Sequence, residues 1–167
     1  MVSTSKKAVV DYWETRQDES GLGVDWSEAL DRCWRCGYEA RLERCHIVPA
    51  SLGGLDEPSN LVLLCKRCHQ EAPNFDDPKY MWIWIRAHAT SMYDTYWSLR
   101  GADEFEKMFG RQPFKGLDES SIDPKTAKEA VASAMRLASF HFGQGRLNPA
   151  TIACVLHRVE QELMSDS

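Results

Sequence analysis

No apolar run in this 167-residue chain approaches the roughly 20 residues that cross a bilayer, so no membrane partner is expected. The basic start, Met1-Val2-Ser3-Thr4-Ser5-Lys6-Lys7, is not followed by the apolar stretch and small-residue cleavage site of a secretory signal. A cytoplasmic location is therefore expected, and with it free thiols rather than disulfides. Internal repeats and low-complexity segments are missing, which sets aside solenoid and tail-like readings. Positive charge is also short: 20 Lys and Arg face 25 Asp and Glu, a net of −5. That sign is wrong for a protein whose whole surface embraces a polyanion. The deficit is local, however. Residues 31–70 hold Arg32, Arg35, Arg41, Arg44, Lys66 and Arg67 against Asp31, Glu39, Glu43, Asp56 and Glu57, a net of +1, so the acidity lies elsewhere.

With 43% apolar and 27% charged residues, the chain has the composition of a globular protein, long enough for one domain or a small module with a helical extension. Residues 6–17 read as a short helix broken at Gly21-Leu22-Gly23, and Ser27 to Arg32 as a helical turn. Residues 38–48 read as two short strands joined by a turn. Ser51 to Asn60 is dense in turn formers and is read as a loop, and Leu61-Val62-Leu63-Leu64 as a short apolar run. From residue 77 the pattern turns helical. Asp77-Pro78 is a capped start, and the apolar stretch from Lys79 to about Leu99 predicts a buried helix. A short helix is expected over Asp103–Phe109, ending at Gly110. Asp123-Pro124 opens another, with Ala127, Ala130, Val131, Ala134, Leu137, Ala138 and His141 on one face and Gly143 after it. Asn148-Pro149 opens the last, with Ile152, Val155, Leu156, Val159 and Leu163 as its stripe.

Six cysteines are present, and four form two matched pairs, Cys33-x-x-Cys36 and Cys65-x-x-Cys68, separated by 28 residues. Two tight turns that each deliver two thiolates suit tetrahedral zinc. Four thiolates close the coordination sphere and leave no place for a reactive water, so this Zn2+ is expected to be structural.

Inside that frame stand Cys45-His46-Ile47-Val48-Pro49, Gly53-Gly54, Asn60-Leu61 and His69 directly after the last cysteine. Here the chain resembles the HNH endonuclease family. That family's ββα-metal motif has a His followed by an apolar residue and a proline, a glycine-bearing loop, an Asn-Leu pair, and a His or Asn nine residues after that Asn. The resemblance covers roughly residues 33–74. It implies an α+β fold: a small zinc-stapled ββα-metal module at 31–76, preceded by an N-terminal helical segment at 1–30 and followed by a C-terminal helical region at 77–167 packed on the module. It also implies hydrolysis of a nucleic-acid phosphodiester, with DNA as the expected partner. His46 would be the general base, Asn60 would fix the loop that holds it, and His69 would bind a catalytic divalent ion, Mg2+ or another. Arg44, Lys66 and Arg67 are the candidate phosphate contacts. Cutting both strands together would call for two sites and hence a homodimer, which no residue here specifies.

Two positions depart from the family pattern. Cys45 stands where an acidic metal ligand usually precedes the base, and a thiolate suits zinc better than magnesium. Three readings stay open: an ion held differently with help from Glu43, a softer metal at Cys45, or impaired catalysis. Pro73 limits the helix bearing His69 to little more than one turn. Each residue also has a plainer reading: His46 as a structural histidine, His69 as a helix residue or spare zinc ligand, Cys45 as a small buried side chain. His88 and His141 are read as packing in helices, His157 as lying on a polar face, Cys154 as an incidental thiol, and Trp82-Ile83-Trp84 as core. The competing functions are a zinc-stabilised DNA-binding module that has lost cleavage and a zinc adaptor for other proteins.

Overall fold

The structure, a computed structural model, describes residues 3–87, 94–115, 123–138 and 147–165. The expectations for His88, Met92, Tyr93, His141 and Gly143 lie outside them. The chain separates into two compact units, Met1–Tyr96 and Trp97–Ser167. Among the described residues no helix is long and apolar enough to cross a membrane.

Helix α1 (Lys6–Glu14) starts where the Ser5 side chain accepts a hydrogen bond from the Ala8 amide, and it buries Val9, Val10 and Trp13 on one face. The Trp13 indole Nε1 donates to the Leu61 carbonyl at 2.8 Å, pinning the helix to the sheet. Instead of running to residue 17, the chain makes a new turn, α2 (Gln17–Ser20), which closes on left-handed Gly21.

Strand β1 (Leu42–His46) pairs antiparallel with β2 (Leu61–Cys65), in the register Leu42↔Cys65 to His46↔Leu61. The expected pair of strands within 38–48 is thus corrected: that segment holds one strand, and Glu39 makes only an isolated bridge to Arg32. The partner is β2 because its five residues are all buried, and pairing across the 47–60 connection satisfies their backbone in the core. Two 3-10 turns, Ala50–Leu52 and Pro58–Asn60, shape that connection.

Cys65 is the N-cap of α3 (Lys66–Glu71), and Pro73 follows soon after its end. The fold is therefore α+β, with two strands and a short helix beside the cysteine cluster. Asp77 caps α4 (Pro78–Arg86) as its Asp-Pro signature predicts. The helix stops at Arg86 rather than continuing toward Leu99, and it buries Met81 and Ile85 while Ile83 is exposed. Arg86 turns back to the end of α2, where Nε and Nη2 donate to the Ser20 carbonyl at 2.9 and 2.6 Å. The next helix, α5 (Tyr96–Phe109), absorbs the short one expected at 103–109 and ends at left-handed Gly110.

In the second unit, Asp123 caps α6 (Pro124–Leu137), and Asn148 accepts from the Thr151 amide at 2.8 Å at the start of α7 (Pro149–Ser165). The stripe of α7 buries Ile152, Val155 and Val159, with Cys154 exposed on the other side. The face of α6 is shallower than its pattern suggests, with no residue fully buried and Leu137 exposed. Gly101 is needed in α5 because a Cβ there would lie 2.2 Å from the Ile152 side chain. His157 stacks on Phe109 with ring centroids 4.2 Å apart rather than sitting on a polar face. Fully buried Glu160 takes both Arg111 Nη atoms at 2.6 and 2.7 Å and the Phe114 amide at 3.1 Å.

Candidate functional site

The first cysteine pair sits in a knuckle. Gly37, at φ 72°, lets its amide reach the Cys33 carbonyl at 2.8 Å, and the Trp34 amide donates to Leu63 at 3.0 Å, which anchors the turn to β2. The second pair spans the junction of β2 and α3. All four thiols are buried and free of disulfides, and their Sγ atoms lie within 4.8 Å of one another. Cys36 and Cys65 are 3.9 Å apart. A tetrahedral ion with zinc–sulfur bonds of about 2.3 Å requires sulfurs about 3.8 Å apart, so the donor set fits zinc in number, chemistry and spacing. Four thiols this close cannot all ionise alone. Hydrogen bonds from Cys33, Cys36 and Cys68 hold the Cys65 thiol far below its ordinary range. Those from Cys33, Cys36 and Cys65 push Cys68 up, and burial pushes up Cys33. A dication would remove this conflict.

Arg35, inside the first pair, was not singled out by the spacing. Its buried guanidinium lies 3.6 Å from the Cys68 sulfur, 2.8 Å from the Glu71 carboxylate and 4.0 Å from the centre of the Trp84 ring. A zinc ion with four thiolates carries a net charge of −2, and this cation offsets part of it within the protein. The sequence signal was its place between two ligands, but its partners come from α3 and α4.

A separate open groove of about 450 Å³ is lined by Glu43, Cys45, His46, Lys66, His69 and Asn74, among others. It brings His46, at the end of β1, to the same side of the module as His69, on α3. His69 Nδ1 lies 2.7 Å from Glu43 Oε2. Asn60 stands behind the groove: Oδ1 accepts from the Val48 amide at 2.9 Å, and Nδ2 donates to the Val48 carbonyl at 2.9 Å and the Leu55 carbonyl at 3.0 Å. Together with the Ile47 amide on the Asn60 carbonyl at 2.8 Å, these bonds fix the chain just after His46. Gly54 completes the lock, since a Cβ there would fall 1.7 Å from the Val48 carbonyl oxygen.

Cys45 is 3% exposed, and its thiol is directed to the His46 carbonyl at 3.7 Å. Burial, reinforced by the charge of Glu43, pushes it up to about 12. Lys66 is exposed at the groove. Arg44 points elsewhere, with Nη1 on the Thr4 carbonyl at 2.7 Å and on Asp56 at 3.1 Å. Arg67 is half-buried near the thiols, and its burial lowers its pKa.

The geometry defines a class: a zinc-type knuckle stapling two strands and a short helix, with two histidines on one groove. The family model described as HNH endonuclease matches residues 32–75, a stretch that contains all four knuckle cysteines, His46, Asn60 and His69. No curated protein and no solved structure matches the chain. The match points this segment to a nuclease-type or nucleic-acid-interacting function, and the four clustered cysteines point to a zinc-type site.

Proposed function

We propose that the protein is a metal-dependent endonuclease of the HNH type that hydrolyses phosphodiester bonds of DNA. The observation that carries this reading is the convergence of His46 and His69 on one groove, with Asn60 bracing the chain behind His46. His46 takes a proton from a water molecule, whose oxygen attacks phosphorus while the phosphorus–leaving-oxygen bond breaks. The leaving oxygen takes up a proton from solvent. Asn60 keeps the backbone at Val48, and so His46, in position. A divalent ion held at His69 would supply the charge that steadies the phosphate and the leaving oxygen. Lys66, exposed at the groove, supports phosphate binding; Arg67 would support it through its charge alone, and Arg44 at most from outside the groove. A cytoplasmic location and a homodimer able to cut both strands belong to the same reading.

The test is nicking of a supercoiled plasmid by the zinc-loaded protein with Mg2+, Mn2+, Ni2+ or Zn2+, compared with His46→Ala. Cleavage should need the added ion and drop at least about 100-fold in the variant, the scale of a lost general base. Equal cleavage by His46→Ala would refute its role as base. One observation favours a second reading, a zinc-stabilised module that binds DNA without cutting: the residue before His46 is a buried thiol and not a carboxylate. A salt-sensitive DNA complex with no cleavage under any of the four ions would establish that alternative.

A further inference from the structure

Cys45 lines the groove yet is almost fully buried, and its sulfur is turned to its neighbour's carbonyl. Side chains alternate along a strand, so Glu43, two residues earlier on β1, projects from the same face. Unlike Cys45 it is accessible: its side chain is 45% exposed and that of His69 is 37% exposed. The two meet across 26 residues of sequence at 2.7 Å, in the groove that also holds His46 and Lys66. Arg44, between them in sequence, points away and is bonded to Thr4 and Asp56. An octahedral cation with bonds of about 2.1 Å keeps neighbouring donors about 3.0 Å apart, so Glu43 and His69 need to open by only about 0.3 Å to share one.

We propose that Glu43 and His69 are the two protein ligands of a single hard divalent cation, the carboxylate having moved two residues upstream of the position that Cys45 occupies. A site with one carboxylate, one imidazole and otherwise water or phosphate oxygens suits Mg2+ or Mn2+, whereas a thiolate at Cys45 would select a softer ion. This proposal rests on the nuclease reading for what the cation does there, but not for its binding.

The test is binding of Mn2+ alone to the zinc-loaded full chain, without nucleic acid, followed by the electron paramagnetic resonance signal of the free ion. Wild type should take up one Mn2+. Glu43→Gln should weaken it by about 100-fold, while Cys45→Ala binds like wild type. Gln retains an acceptor for His69 Nδ1, so an imidazole merely oriented by Glu43 keeps its partner in Glu43→Gln, and the loss should then fall short of the roughly 10–100-fold that follows removal of an outer-shell partner. Wild-type affinity in Glu43→Gln, a loss in Cys45→Ala as large as in Glu43→Gln, or no uptake by wild type would each overturn the proposal. Zinc content and a thermal melt verify that each variant is folded. A readout free of variants is Mn2+-induced broadening of side-chain resonances in the wild-type protein. Glu43 and His69 should broaden first, and broadening that spares Glu43 overturns the assignment. Mn2+ bound through Glu43 with no DNA cleavage defeats the nuclease reading and leaves this one standing. Cleavage unaffected by Glu43→Gln, with unaffected Mn2+ binding, does the reverse.

Discussion

Replacing Asn60 with Ala should both loosen the first unit and disable the groove without touching the cysteines. Its side chain makes three hydrogen bonds, two to Val48 and one to Leu55. A net hydrogen bond contributes about 1 kcal/mol. Leu55 is exposed, so water can replace Asn60 at its carbonyl, whereas half-buried Val48 is harder to resolvate. The loss should be about 2 kcal/mol, a fall in melting temperature on the order of 10 °C for a unit of this size. The expected cleavage loss is about 100-fold, because small displacements of a catalytic group are costly. Gly54→Ala offers an independent route to the same place, since its new Cβ would collide with the Val48 carbonyl. The assays are a thermal melt, a zinc determination and plasmid nicking on both variants. Bound zinc should stay at the wild-type level. An Asn60→Ala protein that melts within about 2 °C of wild type and cleaves at the wild-type rate would refute the bracing role, given the cost expected for the two lost bonds to Val48.

Alkaline pH should destabilise the first unit through Cys45. Its folded thiol is raised to about 12 from an ordinary value near 9, so above pH 9 the unfolded chain releases a proton that the folded chain keeps. Stability is therefore lost as pH rises, by about 1.4 kcal/mol at pH 10, and urea melts of wild type and Cys45→Ala at pH 8, 9 and 10 should diverge by that amount. Parallel curves would refute it. Stripping the zinc should unfold the first unit, because a structural zinc contributes about 10–16 kcal/mol in small zinc modules, comparable with the roughly 5–15 kcal/mol that holds a whole domain. Tryptophan fluorescence during chelation and zinc readdition checks this, and an unchanged spectrum with the metal gone counts against it.

The parts of the fold legible in the sequence are those whose physics is local. Asp77-Pro78, Asp123-Pro124 and Asn148-Pro149 open helices because a side-chain acceptor and a fixed proline φ act within one turn. The cysteine pairs announce a metal knuckle because two ligands three residues apart suit a tight turn. What stayed hidden depends on distant partners. The apolar Trp82-Ile83-Trp84 run gives no hint that α4 ends at Arg86, whose guanidinium reaches back to Ser20 across 66 residues. Strand pairing within 38–48 looked possible by pattern, yet the fully buried β2 is the partner that covers β1. At and behind the groove, His46, Asn60 and His69 carry a recognisable spacing. Glu43 is offered by the sequence only as one of three ways round Cys45, and the contact with His69 is what singles it out.

The short helix that Pro73 enforces explains why the knuckle and the groove are inseparable. Helix α3 has six residues, well below the roughly 12–15 at which an isolated helix begins to be stable, so its own backbone cannot hold His69 in place. Tethers at both ends do so. Cys65 at the N-cap and Cys68 in the helix are drawn to the metal cluster, while Glu71 at the last position is held by buried Arg35 at 2.8 Å. Successive helical residues point about 100° apart, so Cys68 faces inward to the sulfurs while His69, next in the chain, faces the groove. An ion closed in by four thiolates would take no part in the chemistry, yet it would set the position of the residue proposed to hold the catalytic one. On this argument Cys68→Ser should abolish Mn2+ uptake in the groove although Glu43 and His69 are untouched, and the groove would lose its cation before it lost any ligand.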